Sequence, residues 1–492
     1  MLDPAGRTPG LLLHDLLAWA AESRSEQVAV RDDETVLTYG DLWKAAMRTA
    51  GWLLSRGVCA GDRVLVRLEP SRRIPILLYG CSLIGAAMVP VSPTLSRAQW
   101  QHVRDDCQPT LVVVEPMSAH TSDGVVDTGQ WDVEAEAANS LSHPATNPDE
   151  VALLIYTSGS TAMPKAVVSK QHQVMFAVRA IGDVVTYFPT DTVFCRLPLS
   201  FDYGLYQVLL CTQVACELVI AGRSENAAIV RAIQRSRATV VPVVPTMATM
   251  ITALARRGVG PSAVRLFTNT GDRLPAAVIE KLRRLFPGAA VQPMYGTTEC
   301  KRISVLEPDG DRVRPDSVGR PLPGTEVHIL GTGGAVLPPG QVGEIAVRGG
   351  HVMAGYWRSP ELTGRTFRDD EGVRTLRTGD YGWIDANGYL YFVGRRDHIF
   401  KVRGVRTSVA EIEAAAHDVP GITAAAVLPP AGNSPAVLCI VSEQDKAVIL
   451  ERLAARLDAS RIPEKVIVVP ELPLGTSGKV DRAALRRELQ AG

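Results

Sequence analysis

The chain has 492 residues, of which 21% are charged, and its 52 Lys and Arg residues balance its 52 Asp and Glu residues. A single hydrophobic core rarely exceeds about 250–300 residues, so we expect two or more domains. Balanced charge gives no support for nucleic acid or an anionic membrane as the main partner. Eight cysteines without a C-x-x-C pair predict free, mostly buried thiols in a reducing, cytoplasmic compartment.

The first part of the chain alternates apolar runs with helical patterns. A helix is predicted to begin at residues 38–41, and buried strands are predicted at 64–66, 111–114 and 151–155. The uncharged stretch 74–91 approaches the length of a membrane span, but proline and glycine divide it. We therefore predict a buried helix that leads into a strand. The N-terminal residues show no signal-peptide pattern.

The same alternation continues with core strands predicted at 218–220, 239–241 and 266–268. Residues 308–350 are rich in proline and glycine, and short strands between them predict a small β subdomain. After about residue 396 the pattern changes to that of a small α+β domain. The predicted fold class is therefore α/β, with largely parallel pairing in a large N-terminal region.

A short polar loop with the sequence YTSGSTAMPK occupies residues 156–165. Its small residues let backbone N–H groups approach an anion, its hydroxyls add donors, and its lysine adds a mobile charge, so it suits a polyphosphate. A Walker loop is excluded because Pro164 precedes Lys165 and Ala166 follows it. The candidate nucleotide-binding residues in this loop are Thr157, Ser158, Gly159, Ser160, Thr161 and Lys165.

Further motifs carry the charged groups that a nucleotide reaction needs. A carboxylate such as Glu299 can bind a hard divalent cation that bridges phosphates. Asp380 offers two acceptor oxygens, which suits the paired hydroxyls of a ribose. Lys479, in a loop flanked by glycines, can offset charge on an attacking carboxylate and an α-phosphate. The motifs are YGTTE at 295–299, TGD at 378–380, GRRDHIFKVRG at 394–404 and PLGTSGKVDR at 473–482.

In this order the motifs resemble those of the adenylate-forming superfamily, which includes acyl-CoA synthetases, luciferases and the adenylation domains of nonribosomal peptide synthetases. The resemblance spans nearly the whole chain and is greatest to stand-alone amino-acid adenylation enzymes. It departs from the family where two usual glycines are replaced by Ala162 and Ala166. The stretch 355–363, GYWRSPELT, also resembles the family, in which it is structural.

The resemblance implies ATP and Mg²⁺ as cofactors and an N-terminal adenylation core, residues 1–396, with a mobile C-terminal lid domain, residues 397–492. The lid rotates between an adenylate-forming step and a thiol-transfer step. The roles that the resemblance implies are adenine stacking by Tyr295, phosphate binding by Thr298, Mg²⁺ binding by Glu299, ribose binding by Asp380 and Arg395, catalysis by Lys479, and a hinge at Asp397.

The acid substrate is indicated by residues 197–204, LPLSFDYG. Amino-acid-activating relatives carry Phe-Asp here, and a buried Asp202 carboxylate suits a substrate ammonium. The alternative is that Asp202 caps a helix beginning near Tyr203. The pair Tyr203-Gly204 departs from peptide-synthetase domains and leaves an α- or a β-amino acid open. The candidate substrate-binding residues are Asp202, Thr270, Gly271 and Arg302.

Lys301 and Arg302 could reach a second substrate carboxylate, or they could face phosphate or solvent, and the sequence leaves these alternatives open. We predict an AMP-forming ligase that activates an amino acid and loads the phosphopantetheine of a carrier protein supplied in trans. The alternative is an acyl- or aryl-CoA ligase that uses CoA. A non-catalytic scaffold is disfavoured because Lys165, Glu299, Asp380 and Lys479 are all present.

Overall fold

The computed structural model describes residues 12–116, 124–141, 146–157, 163–222, 228–255, 262–370, 372–395, 398–402, 405–431, 434–457, 461–463, 465–475 and 479–491. Its helices are α1 (Leu13–Ser23), α2 (Tyr39–Ser55), α3 (Arg73–Ile84), α4 (Arg97–Cys107), α5 (Thr128–Ala137), α6 (Gln171–Gly182), α7 (Asp202–Val214), α8 (Ile229–Arg235), α9 (Pro245–Leu254), α10 (Ala276–Leu285), α11 (Pro360–Thr366), α12 (Val409–His417), α13 (Lys446–Ala454) and α14 (Arg482–Ala491).

The strands up to the middle of the chain are β1 (Val28–Arg31), β2 (Val36–Thr38), β3 (Arg63–Arg67), β4 (Ala87–Pro90), β5 (Leu111–Val114), β6 (Val125–Asp127), β7 (Val151–Thr157), β8 (Lys165–Lys170), β9 (Thr192–Cys195), β10 (Glu217–Ile220), β11 (Val240–Val243), β12 (Leu266–Asn269) and β13 (Ala290–Tyr295). The later strands are β14 (Ser304–Val305), β15 (Ser317–Pro321), β16 (Thr325–Leu330), β17 (Gly343–Gly349), β18 (Gly355–Tyr356), β19 (Phe367–Asp370), β20 (Val373–Ile384), β21 (Leu390–Arg395), β22 (Ile399–Val402), β23 (Val405–Ser408), β24 (Ile422–Leu428), β25 (Val437–Ser442) and β26 (Lys465–Val468).

Two large sheets form the N-terminal region. In one, β1, β10, β9, β11, β12 and β13 are parallel neighbours, and in the other β7, β4, β3, β5 and β6 are parallel. Their strands are short apolar runs that are largely buried, as expected for parallel sheets covered by helices. The α/β prediction with largely parallel pairing is therefore confirmed.

The strands predicted as a small β subdomain continue one of these sheets. Strands β14, β15, β21, β20, β17 and β16 extend the sheet from β13 through antiparallel pairs. They nevertheless bury a hydrophobic cluster of their own, which includes Ile345, Val347 and Leu376. Continuity with β13 matters for function because it brings the residues after β13 next to β20 and β21.

Local sequence signals explain individual elements. Helix α2 begins where predicted because the Thr38 hydroxyl accepts a hydrogen bond from the backbone N–H of Asp41 at 3.1 Å. Helix α3 is buried on all sides and leads into β4, as predicted for residues 74–91. In the described part of the chain, no helix is long and apolar enough to cross a membrane. The eight cysteines are free, and Cys59 is the exposed one.

The smaller C-terminal region has separate sheets and a separate core. Strands β24, β25 and β26 form one sheet, β22 and β23 form a hairpin, and α12 and α13 contribute Ile412 and Ile449 to a distinct apolar cluster. The large N-terminal and small C-terminal regions agree with the prediction. The boundary between residues 396 and 397 stays a prediction because both residues lie outside the described ones.

Candidate active site

The flanks of the phosphate loop are held together by a strand pair. Strands β7 and β8 are antiparallel, and their last register pair joins Thr157 to Lys165. Helix α4 supports both sides, since Tyr156 donates to Asp106 Oδ2 at 2.6 Å and His102 Nε2 lies 2.9 Å from the carbonyl oxygen of Pro164. The predicted loop residues Ser158, Gly159, Ser160 and Thr161 lie outside the described residues.

The residues predicted to bind adenine and ribose lie close together where the antiparallel strands continue the sheet from β13. Tyr295, at the end of β13, donates its hydroxyl to Asp380 Oδ2 at 2.6 Å. Asp380 in β20 pairs in register with Arg395 in β21, and Arg395 Nε lies 3.7 Å from Asp380 Oδ1. Within the described residues, that buried Oδ1 has no hydrogen-bond partner, and burial raises the pKa of the Asp380 carboxyl. An unsatisfied buried oxygen fits the donor hydroxyls of a ribose.

The predicted metal ligand, Glu299, lies with Thr298 in the turn that follows β13. Its Oε1 accepts a hydrogen bond from the hydroxyl of Tyr356 at 2.6 Å. Among the described residues there is no group of three or more His, Cys, Asp or Glu side chains that could hold a metal. A single carboxylate fits Mg²⁺ better than other ions because Mg²⁺ usually takes one or two carboxylates together with substrate phosphates.

The predicted catalytic lysine reaches the core from the C-terminal region. A Cβ placed on Gly271 would lie 3.4 Å from Lys479 Cε and 3.9 Å from its Nζ. The charge of Lys479 also lowers the pKa of Asp380, although burial outweighs this effect. Next to Gly271, the buried hydroxyl of Thr270 has no hydrogen-bond partner in the described parts of the chain. Lys479, Gly271 and Thr270 therefore lie together, whereas the predicted hinge Asp397 lies outside the described residues.

The candidate acid-binding residue Asp202 is the first residue of α7 and is not the helix cap. Phe201 occupies the N-cap position, so the interpretation of Asp202 as a cap is wrong. An acidic residue in the first turn of a helix is favoured by the helix dipole. Asp202 Oδ2 lies 3.7 Å from Arg302 Nη1. Asp202 thus faces a cation supplied by the chain itself.

Two buried cations surround this carboxylate. Lys301 is 1% exposed and Arg302 is 5% exposed. The Lys301 ammonium has no hydrogen-bond partner among the described residues, and it lies 5.9 Å from the ring centre of Tyr206. Burial lowers the pKa of Lys301, while Asp202 and Glu299 act in the opposite direction. A buried cation without a hydrogen-bonding partner is costly, and such groups are often functional.

Close packing of the backbone holds Lys301 and Arg302 in position. A Cβ on Gly296 would lie 2.1 Å from the carbonyl oxygen of Lys301, so only glycine allows the turn after β13 to fold against this segment. Lys301 itself has φ 64, in the left-handed region that non-glycine residues seldom adopt. Arg302 donates from Nη1 to the carbonyl oxygen of Lys301 at 2.8 Å. The backbone strain at Lys301 is consistent with a functional site.

The pair Tyr203-Gly204 lies next to Arg302. The guanidinium carbon of Arg302 lies 4.7 Å from the ring centre of Tyr203, whose hydroxyl donates to the carbonyl oxygen of Thr268 at 2.8 Å. A Cβ on Gly204 would lie 2.3 Å from the carbonyl oxygen of Pro198, so this close packing of α7 requires glycine. The departure from the usual pattern therefore accompanies a cation–π contact that supports Arg302.

The sequence does not identify the roles of two residues of the site, Lys301 and Tyr356. The role of Lys301 was left open because a lone lysine gives no sign of whether it will be buried. Tyr356 was seen only as part of a structural stretch, and its contact with Glu299 joins residues 57 positions apart. The occurrence of two adjacent cations shortly after YGTTE is the only sequence signal that could have indicated the first.

Comparisons with known proteins agree with this arrangement. A family model described as AMP-binding enzyme matches residues 17–357. Tyrocidine synthase 3 of Brevibacillus parabrevis is 28% identical over 497 residues, which cover 97% of this chain but only 8% of that protein. Phenyloxazoline synthase MbtB of Mycolicibacterium paratuberculosis is 29% identical over 510 residues, which cover 99% of this chain and 43% of that protein. The chain therefore spans less than half of the length of either relative.

Solved structures give the same family. The complex structure of VinN with L-aspartate is 41% identical, with a TM-score of 0.73, and the match covers 79% of this chain and 99% of that one. The anthranilate CoA ligase AuaEII is 21% identical, with a TM-score of 0.89, and the match covers 99% of both chains; at this identity it shows the fold alone. Together with the 41% identity to VinN, the family match over residues 17–357 shows that the chain belongs to the AMP-binding enzyme family.

Proposed function

We propose that the chain activates an amino dicarboxylic acid of the aspartate type as its acyl adenylate, releasing pyrophosphate. The acyl group is then transferred to the phosphopantetheine thiol of a carrier protein. The observation that carries the proposal is the buried pair Lys301 and Arg302 beside the carboxylate of Asp202. VinN, which is 41% identical to this chain, has been solved with L-aspartate.

The charges of Asp202, Lys301 and Arg302 match such a substrate. An aspartate-type acid carries one ammonium and two carboxylates, and these three side chains offer one carboxylate and two cations. Asp202 would pair with the ammonium, and Lys301 and Arg302 with the carboxylate that does not react. Buried charges are stable only when they are paired, so the substrate would satisfy groups that are costly in the free enzyme. A monocarboxylic acid would leave Lys301 without a counter-ion.

The remaining candidate residues would serve the reaction with ATP. Tyr295 would stack on adenine, Asp380 and Arg395 would bind the ribose, and Thr157, Lys165 and Thr298 would contact phosphate. Lys479, beside Gly271 and Thr270, would hold the reacting carboxylate near the α-phosphate and offset the charge that develops there. The reacting carboxylate attacks the α-phosphorus, and the bond to the pyrophosphate leaving group breaks.

The proposal also assigns roles to Glu299 and to the C-terminal region. Glu299 would hold Mg²⁺, which when bound neutralises phosphate charge. Residues 397–492 would then rotate about Asp397, so that the carrier thiol replaces Lys479 at the adenylate and displaces AMP. In the described structure Lys479 lies against Gly271, an arrangement that suits the adenylation step.

The proposal is tested by substrate-dependent ATP–pyrophosphate exchange. We expect exchange with L-aspartate or its β-substituted analogues, and little with asparagine, which lacks the second carboxylate, or with succinate, which lacks the ammonium. Exchange with benzoate or simple fatty acids alone would favour the acyl- or aryl-CoA ligase alternative. Mass spectrometry of a phosphopantetheinylated carrier protein, with free CoA as the competing acceptor, tests the second step.

A further inference from the structure

The hydroxyl of Tyr356 makes a short contact with the carboxylate proposed to bind Mg²⁺. It lies 2.6 Å from Glu299 Oε1, a distance at the short end of the range for an O–H···O hydrogen bond.

The surroundings of Tyr356 fix this hydroxyl in place. Its backbone N–H donates to Thr363 Oγ1 at 3.0 Å, and its ring packs edge-on against Phe367 at a centroid distance of 5.7 Å. The carbonyl oxygen of Glu299 accepts from the backbone N–H of Met353 at 2.9 Å, so the segment before β18 holds the turn as well as the side chain. The same short segment therefore holds both the backbone and the side chain of Glu299.

Strand β18 also connects this carboxylate to the phosphate loop. Tyr356 pairs in register with Val167 of β8, and the next residue, Trp357, donates its backbone N–H to the carbonyl oxygen of Ala166 at 2.9 Å. Strand β8 begins at Lys165, the lysine of the phosphate loop. One short strand therefore contacts the two halves of the nucleotide site, which are far apart in sequence.

We propose that Tyr356 is a positioning residue that restricts Glu299 to single-oxygen binding of the divalent cation and connects it to strand β8, which begins at Lys165. The inference rests on the proposed role of Glu299. With Oε1 engaged by the hydroxyl, the carboxylate is directed to bind through Oε2 only. Single-oxygen binding suits the small octahedral Mg²⁺, whereas Ca²⁺ readily accepts both oxygens of a carboxylate.

The test is Tyr356→Phe, which keeps the ring packing and removes only the hydroxyl. Affinity for α,β-methylene-ATP, which cannot be adenylated, is measured by calorimetry over a series of Mg²⁺ and Ca²⁺ concentrations. Loss of a group that orients a metal ligand typically costs about 10- to 100-fold. We expect the Mg²⁺ concentration for half-maximal strengthening of nucleotide binding to rise by about that factor, with a smaller change for Ca²⁺.

A matched control is Tyr389→Phe, because the hydroxyl of Tyr389 donates to Glu307 at 2.7 Å away from the nucleotide site. That variant should keep the wild-type Mg²⁺ dependence. Glu299→Gln tests the underlying assignment, and Tyr356→Phe in that background should cause no further loss if the tyrosine acts through Glu299.

The outcomes are distinguishable. If Glu299→Gln leaves the Mg²⁺ dependence intact, the proposed role of Glu299 is wrong. If Glu299→Gln abolishes the dependence while Tyr356→Phe behaves like the wild type, the positioning role is overturned. An equal loss from Tyr356→Phe in both backgrounds would also overturn it, because the hydroxyl would then act independently of Glu299.

Discussion

Replacing Lys301 by methionine separates the stability of the free enzyme from its activity. The side chain is 1% exposed, and its ammonium has no hydrogen-bond partner within the described residues. Methionine has a similar length and no charge, while Asp202 keeps Arg302 as a neighbour at 3.7 Å. A buried cation without a hydrogen-bonding partner is costly, so replacing it by an apolar group of similar volume removes a desolvation cost. We therefore expect the melting temperature of the free enzyme to stay the same or to rise.

Activity should change in the opposite direction. A hydrogen bond to a charged group contributes about 1.5–3 kcal/mol, and about 1.4 kcal/mol corresponds to a factor of ten in rate. Lys301→Met should therefore lower kcat/KM for an aspartate-type acid by about 10- to 150-fold in pyrophosphate exchange. Discrimination against asparagine should weaken, because the variant no longer supplies both cations for the second carboxylate.

The control is Lys281→Met, at an exposed position of α10. This variant should change neither the melting temperature nor kcat/KM. A variant of Lys301 that melts lower than the wild type but keeps its kcat/KM would refute the reasoning. That result would mean that the ammonium stabilises the fold and does not contact the substrate.

Three further substitutions test other parts of the structure. Asp202→Asn keeps the size and removes the charge that would pair with the substrate ammonium, at a cost of about 3–5 kcal/mol; near-normal pyrophosphate exchange would rule out this pairing. Lys479→Ala should slow adenylation by about a hundredfold or more and affect thiol transfer from preformed adenylate much less, and equal damage to both half-reactions would contradict its role. Burial lowers the pKa of His351 from 6.5 to about 4. Between these two pH values the unfolded chain binds more protons than the folded chain does. The contribution of His351 to stability, present above pH 6.5, is therefore lost as the pH falls to 4. The stability advantage of the wild type over His351→Gln in urea unfolding should therefore shrink by about 3 kcal/mol over that range, and a pH-independent difference would show that His351 does not titrate as argued.

The secondary structure of the core and the order of the nucleotide motifs follow from local sequence patterns. Short apolar runs such as residues 151–155 favour buried strands, and the polar residues at 38–41 cap the helix that follows, because both signals act between neighbours in the chain. The motifs at 295–299 and 378–380 were recognisable because nucleotide chemistry demands particular residue types within a few positions.

Which of these residues lie next to each other depends on the tertiary structure. Antiparallel pairing of β20 with β21 placed Asp380 opposite Arg395, and the extension of the sheet beyond β13 brought Tyr295 to the same carboxylate. Burial of Lys301 and the contact of Tyr356 with Glu299 depend on packing between segments distant in sequence, and periodicity cannot report such packing. Helix α7 begins at Asp202, one residue earlier than the capping interpretation requires, with Phe201 as its cap, and residue preferences at single positions do not resolve a difference of one residue.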